Sequence, residues 1–440
     1  MKINARKLAL RILDEIDYSH DFSHIVINRT FSRYEVESAD RRFVSQLVLG
    51  VLENRIKLDY YIRKLSEQRF SRIHHSIINI LRLGLYQLEF LDKVPESAAV
   101  NESVKLAKTI SERDSKFVNG ILRNFVRSGK TLDLPDKKKH TVTHLSVKHC
   151  FPEWLIELWM KTYGNVFTES LIHASNLTPQ LSLRVNIMKT TVESLTESFE
   201  KAGIKYKVSK LVPVGIVIED MNHLSINQLP GYNEGHFIIQ DISSMCVGYF
   251  SGAKAGQTVL DVCAAPGGKA THLAECVGVT GKVIARDNQP DKLEVIQANA
   301  NRLGLDNIEV ALFDAMIMDD SLVGKMDVVL VDAPCSGLGI IRRKPDIKYN
   351  RSVDDIKALE GIQEKILKVA AEYVADGGVL MYSTCTLNPA ENQDIVGAFL
   401  NEDQRFELEP LSDEGYLTLF PNIHQTDGFF IAKLIKTKTR

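Results

Sequence analysis

Five short runs rich in Val, Ile and Leu, TVLDVC, GKVIARD, IEVALFD, MDVVLVD and GGVLMYST, follow one another in the second half of the chain, with helical spacing between them. Runs that are apolar at nearly every position, rather than at every second one, belong to strands covered on both faces. Their alternation with stretches such as KLEVIQANANRLGL and SVDDIKALEGIQEKILKVAAEYV predicts a parallel sheet flanked by helices, an α/β unit of the doubly wound, Rossmann-like kind. In such a sheet ligands bind beyond the carboxyl ends of the strands. The residues that follow each run are therefore where chemistry is expected.

At 440 residues the chain exceeds one ordinary core, so two or three domains are expected. The first 128 residues read as helices, with apolar residues three and four apart in KLALRILDEI, RRFVSQLVLGVLENRIKLDYYIRKL and SIINILRLGLYQLEFL. The polar stretch around LPDKKK, residues 131–142, reads as a linker. Residues 143–228 then mix helices with the strand-like LSLRVN, IKYKVSK and GIVIE, a small α+β unit, and residues 229–440 hold the α/β pattern. Charge follows the same division. Residues 1–150 carry 27 Lys and Arg against 18 Asp and Glu, and the remainder 27 against 38. A basic module ahead of an acidic one suits contact with a polyanion, and equally a solvated helical face. Asp14, Glu15 and Asp17 stand where a signal peptide would need its apolar core, and no uncharged run is long enough to span a membrane. A cytoplasmic protein is expected.

Each of the five runs leads into chemically useful groups. TVLDVC leads into AAPGGK, where Gly267 and Gly268 allow the backbone to approach a ligand closely. This turn is neither GxGxxG nor GxxxxGK[ST], which argues against a dinucleotide or a nucleoside triphosphate. The second run ends in Asp287, about twenty residues on, where a carboxylate suits ribose hydroxyls. The third ends in Asp314. The fourth ends in Asp332-Ala333-Pro334-Cys335-Ser336-Gly337 and the fifth in Ser383-Thr384-Cys385. Six cysteines show no CxxC pair and no zinc-type spacing, so neither a disulfide framework nor a metal is expected. A scattered cysteine in such a chain is ordinarily a small buried hydrophobe. Two of them at the ends of adjacent strands, with an acid beside them, ask for another explanation.

CAAPGGK, DAPCSGLG, RRKPDIKY and YSTC resemble, nearly residue by residue, the RNA cytosine-C5 methyltransferases that use S-adenosyl-L-methionine. DRRFVSQLVLGVL, LRLGLYQLEFLDKVPESAAVNESV and KFVNGILRNFVR are similar to the NusB-like RNA-binding domain joined to that catalytic unit in bacterial 16S ribosomal RNA methyltransferases of the RsmB (Fmu) type. The resemblance covers almost the whole chain. It implies a helical NusB-like bundle over residues 1–130, an RRM-like unit over 143–228 and a class I methyltransferase domain over 229–440, acting as a monomer on 16S ribosomal RNA. The middle unit lacks the aromatic-rich sheet motif of a full RNA-recognition module, so orienting the domains is its expected part.

The resemblance also assigns residues. Cys263, Ala264, Ala265, Pro266, Gly267, Gly268 and Lys269 would line the methionine and ribose side of the cofactor, with Asp287 on the ribose, Asp314 near adenine and Asp332 close to the methyl donor and the base. C5 of cytosine is too weak a nucleophile to take a methyl group unaided, so a thiolate first adds to C6. Cys385 is the expected nucleophile and Cys335 the cysteine of the release step, the reverse of the DNA enzymes, while Asp332 is expected at N3 of the base. The target cytosine must be unpaired or flipped. Arg286, where the family commonly has a small or apolar residue, is expected to point to solvent at the rim of the pocket. Arg342, Arg343 and Lys344 are expected to meet the RNA backbone. An RNA-binding factor with a vestigial catalytic half would lack cofactor binding, and a nicotinamide dehydrogenase would need the dinucleotide fingerprint that AAPGGK lacks.

Overall fold

The computed structural model describes residues 4–19 and 21–438. The chain divides into two compact units, one running to Asn176 and completed by Lys344–Asn350, the other comprising Leu177–Arg343 and Arg351 onward.

The first unit holds α1 (Ala5–Ser19), α2 (Ser23–Arg33), α3 (Ser38–Leu65), α4 (His75–Phe90), α5 (Glu96–Lys108), α6 (Glu112–Arg127), α7 (Thr141–His149), α8 (Glu153–Tyr163) and α9 (Asn165–Ala174). Every residue of α4 from Ser76 to Leu88 is buried. A helix buried all round must satisfy its polar groups internally. Asn79 accordingly donates to Asp14 and Asp17 at 2.8 and 3.0 Å, and Arg82 grips Asp59 through Nε and Nη2 at 2.7 and 2.8 Å. Helices α7–α9 pack within this compact unit, α7 against α3 and α8 against α7 and α9.

Lys344–Asn350, the KPDIKYN part of the RRKPDIKY motif, also belongs to the helical unit. Asp346 accepts hydrogen bonds from Ser23 N and Oγ at the start of α2, at 2.8 and 3.1 Å. Lys348 is 2% exposed; its ammonium lies 4.2 Å from the centre of the Phe151 ring and donates to Asn176 Oδ1 at 2.8 Å.

The second unit opens with an antiparallel sheet made of β1 (Leu181–Val185), β2 (Lys205–Val208), β3 (Gly215–Asp220) and β4 (Phe237–Ile239), in the order β2-β3-β1-β4. Helix α10 (Val192–Lys201) covers it through Leu195 and Phe199. The run GHFIIQD, expected to open the α/β domain, supplies β4, since Phe237–Ile239 pair with Val185–Leu183.

The α/β domain follows as α11 (Ile242–Ser251), β5 (Thr258–Asp261), α12 (Gly268–Val277), β6 (Lys282–Asp287), α13 (Pro290–Leu303), β7 (Ile308–Leu312), β8 (Met326–Asp332), α14 (Val353–Tyr373), β9 (Val374–Thr384), α15 (Gln393–Glu402), β10 (Phe406–Glu409), β11 (Leu417–Leu419), α16 (Pro421–His424) and β12 (Phe429–Lys436). The sheet runs β10-β12-β9-β8-β5-β6-β7. The five apolar runs form its parallel part, β5 to β9, and β12 joins β9 antiparallel. Successive residues alternate between two cores: Val328, Leu330 and Met381 lie in one, Val329, Val331, Leu380 and Tyr382 in the other. Both faces are dry, which is why these strands read as continuous apolar runs.

Candidate active site

The chain winds outward in opposite directions from β5 and β8, so the topological switch point lies between them. Parallel pairing sets Asp332, the last residue of β8, against Ser383 of β9, and Ser383 Oγ donates to Asp332 Oδ1 at 2.8 Å. Just beyond these strand ends the Sγ atoms of Cys335 and Cys385 stand 3.2 Å apart, both as free thiols. Contact with Cys385, reinforced by burial, pushes the Cys335 thiol well above its ordinary range.

From the β5 side, Lys269 Nζ donates to Asp332 Oδ2 at 2.7 Å and lies 5.1 Å from the centre of the Phe429 ring. Burial opposes the lysine's charge, but Asp332 and, more weakly, Cys385 outweigh it and hold its pKa above the ordinary value. The cation is thus fixed between the acid and the thiol pair.

The loop before α12 is a cradle. Gly267 has φ +100°, and a Cβ there would stand 3.3 Å from the Ile296 backbone in α13, so backbone and space both call for glycine. Ala265 N donates to Asp287 Oδ2 at 3.4 Å, which ties the loop to the end of β6. Beneath it Asp261 is fully buried; Oδ1 accepts from Cys263 N at 3.3 Å, and Oδ2 has no partner among the described residues. Burial first, then the charge of Asp332, pushes the Asp261 carboxyl up to about 8. An orphaned carboxyl oxygen below a glycine cradle suits a ligand that brings polar groups of its own.

The small sheet holds this cradle. Arg184 of β1, fully buried, donates through Nη2 and Nε to the two oxygens of Glu275 at 2.7 and 3.3 Å. It also reaches Thr271 Oγ1 at 3.0 Å and the carbonyl of Gly268 at 2.5 Å. One guanidinium therefore bolts β1 to the first turns of α12.

A second buried charge joins the two cysteine loops. Glu391, with no exposed surface, accepts from Ser336 N at 2.7 Å, Gln363 Nε2 at 3.1 Å and Asn388 Nδ2 at 3.0 Å, as well as from the hydroxyl of Ser336. The loops also touch directly. Gly339 N donates to Cys385 O at 3.0 Å and Gly428 N to Gly339 O at 2.8 Å. A Cβ on Gly339 would fall 2.0 Å from Gly428 O, so the approach requires glycine.

The expected residues thus lie beyond neighbouring strand ends, Ala264 to Lys269 and Asp287 on the β5–β6 side, Asp332, Cys335 and Cys385 on the β8–β9 side. Cys263 packs its side chain against the sheet's core. Asp314 closes an Asx turn, accepting from Met316 N at 2.9 Å. Arg286 does not face solvent: it is buried, pairs with Asp319 at 2.6 Å and stacks 4.2 Å from the centre of the Phe313 ring. Arg342 and Arg343 are not presented to a phosphate backbone either. Both bind Asp427, and Arg343 also binds Asp241 at 2.7 Å, while Lys344 packs in the helical unit over Phe22. Sequence reading passed over Asp261, Glu391 and Arg184. The available signal was a charged residue inside an otherwise apolar run in the first and last cases, and nearness to Cys385 in the second.

Among the described residues no helix is long and apolar enough to cross a membrane, and no group of three or more His, Cys, Asp or Glu side chains could hold a metal ion. Residues 252–435 match the family model described as 16S rRNA methyltransferase RsmB/F. Residues 3–127 match the NusB family, and residues 151–225 the ferredoxin-like domain of RsmF/B-like methyltransferases. The chain is 36% identical to the probable ribosomal RNA small subunit methyltransferase B of Synechocystis, over 99% of this chain and 100% of that one. It is 35% identical to the protein of the same description in Bacillus subtilis, over 99% of each. A crystal structure of a methyltransferase homologue from Pyrococcus horikoshii matches with a TM-score of 0.61 at 28% identity, covering 67% of this chain and 99% of that one.

Proposed function

The chain belongs to the RsmB/F family of 16S ribosomal RNA methyltransferases, and from that premise we propose that it methylates C5 of a cytosine through a covalent bond between Cys385 and C6 of the base. The observation that carries the reading is the pair of thiols 3.2 Å apart beside an acid already held by a lysine.

The methyl donor is S-adenosyl-L-methionine, which when bound supplies an electrophilic methyl group on a sulfonium. The cradle fits it: Gly267 and Gly268 admit close approach, Asp261 offers an unpartnered oxygen, and Asp287 stands at the next strand end for ribose hydroxyls. Asp314, at the third strand end, is assigned to the adenine side.

Cys385 attacks C6 as the thiolate, with the Lys269 ammonium beside the site. Its electron pair forms the S–C6 bond, and the electrons displaced from the ring are stabilised by a proton placed at N3 through Asp332. C5, now enamine-like, is the carbon that gains the methyl group. The C5 proton passes to Cys335 acting as base, the C5–H electrons re-form the C5–C6 double bond, the C6–S bond breaks to release the Cys385 thiolate, and the N3 proton returns to Asp332. Ser383 and Lys269 keep Asp332 aimed throughout.

Incubating each variant with 16S ribosomal RNA and cofactor, then separating covalent adducts under denaturing conditions, tests the assignment. Cys385→Ala should give neither methylation nor adduct, and Cys335→Ala should accumulate adduct. An adduct that survives Cys385→Ala reverses the roles.

A further inference from the structure

A cavity of about 250 Å³ opens in the second unit between the small sheet and the α/β domain, outside the crevice described above. Its walls come from the turn between β2 and β3, the start of α11 and the strap that follows α16. Leu211, Val217 and Ile242 make an apolar side, Gln180 and Gln425 bring carboxamides, and exposed Lys210 stands among the lining residues. His424 adds a donor of fixed direction. Phe420 N donates to its Nδ1 at 2.9 Å, so the neutral ring carries its proton on Nε2. The one carboxylate in the lining, Asp241, is already matched by Arg343 Nη2 at 2.7 Å, Ser243 N at 2.9 Å and Asp427 N at 3.2 Å. It therefore presents little uncompensated charge to an anion.

The strap links this cavity to the thiols. Thr426 lines it, and Gly428, two residues on, donates to Gly339 O, whose own N–H binds Cys385 O. Two residues reach at most ~7 Å, and the hydrogen bonds through Gly339 add 2.8 and 3.0 Å, so the cavity lies within a few steps of an extended polynucleotide from Cys385. A strand that delivers an extruded base to Cys385 is unpaired around it, and an unpaired neighbour is recognised by apolar stacking, amide contacts to its edge and a cation at its phosphate.

We infer that this cavity binds a second nucleotide of the substrate RNA, one close to the target cytosine, with Leu211 and Val217 against the base, Gln180 or Gln425 at its edge and Lys210 at its phosphate. The inference rests on the RNA-methylating function proposed above and adds to it a site that selects the strand around the target.

The test uses the full chain, S-adenosyl-L-methionine and a transcript of 16S ribosomal RNA, with Val208→Trp, at a lining residue in β2, to fill the cavity and Lys210→Glu to reverse its cation. Val208→Trp should weaken RNA binding about tenfold, the loss expected for one base contact. Lys210→Glu should lower the slope of log Kd against log salt by about 0.7, the share of one single-strand phosphate contact, and Lys210→Arg should restore it. Equilibrium cofactor binding at wild-type strength confirms that the variants are folded. Unchanged RNA affinity and salt slope in both variants, with wild-type methylation intact, overturn the cavity's role alone. Wild-type protein that shows the RNA effects but no C5 methylation removes the cytosine chemistry and leaves the cavity standing. Variants that bind naked RNA normally but fail only on the ribosomal particle overturn the inference in favour of a protein occupant.

Discussion

Replacing Glu391 by Ala removes a buried carboxylate that ties the two cysteine loops together. Its carboxylate takes the Ser336 N–H at 2.7 Å, the amides of Gln363 and Asn388 at 3.1 and 3.0 Å, and the Ser336 hydroxyl. Each buried donor left unpaired costs about 1–3 kcal/mol. The amide side chains can turn toward other acceptors, but the Ser336 N–H is held in place, because Gly339 anchors the same loop to Cys385 and Gly428. A loss of about 3–4 kcal/mol in local stability follows for Glu391→Ala. Glu391→Gln keeps the shape and one acceptor oxygen, and the hydroxyls of Ser336 and Thr386 can reverse to accept from the new amide, so about 1–1.5 kcal/mol is expected. Both tryptophans, Trp154 and Trp159, lie in the helical unit, so their fluorescence does not report on this region. Hydrogen exchange in peptides spanning 333–343 and 383–392 does. At tenfold per 1.4 kcal/mol, exchange should quicken by roughly a hundredfold or more in the Ala variant and about tenfold in the Gln variant. Equal protection in Ala, Gln and wild type would refute the view that this carboxylate holds the two thiols at their spacing.

Arg184→Met strands the buried charge of Glu275 and should cost about 3–5 kcal/mol, whereas the double change with Glu275→Leu should recover most of that loss in a denaturation series. Cofactor affinity should stay weakened in the double variant, because the Gly268 carbonyl has still lost the guanidinium and keeps only the Thr271 hydroxyl at 3.1 Å as a side-chain donor; calorimetric titration measures it. Burial, working against the raising effects of Cys150 and Glu53, lowers Lys348 to about 8. Between pH 8 and 10.5 the unfolded chain therefore holds a proton that the folded chain has released, and the stability of the helical unit should rise across that window. Tryptophan fluorescence during urea unfolding should show a gain over this range in wild type that exceeds the change in Lys348→Met.

The five parallel strands were legible because burial on both faces leaves an apolar run that no other element of that length requires. The acids and thiols at their ends were legible because the sheet rule says where to look. What escaped was whatever depends on a distant partner. Arg342 and Arg343 read as free cations since their counter-ions, Asp427 and Asp241, lie 84 to 102 residues away. Arg286 read as solvent-facing because nothing local announces Asp319, 33 residues on, or the Phe313 ring. Phe237–Ile239 carries a strand signal, but only its pairing with β1 decides which sheet it joins. Glu391 sits in a turn motif where a surface acid is the ordinary expectation. Its burial comes from Gln363 and Ser336, elements brought in by the crossover of α14 and β9.

The seven residues Lys344–Asn350 complete a helical unit whose other parts end at Asn176. During synthesis, roughly 170 further residues must be added before Asp346 is available to Ser23 and Lys348 to Phe151, which at about 5–20 residues per second means a wait on the order of 10–30 s. Until then the N-terminal helices emerge without their last piece. The bundle is made first and finished late, and a chain halted before residue 344 would leave it unfinished.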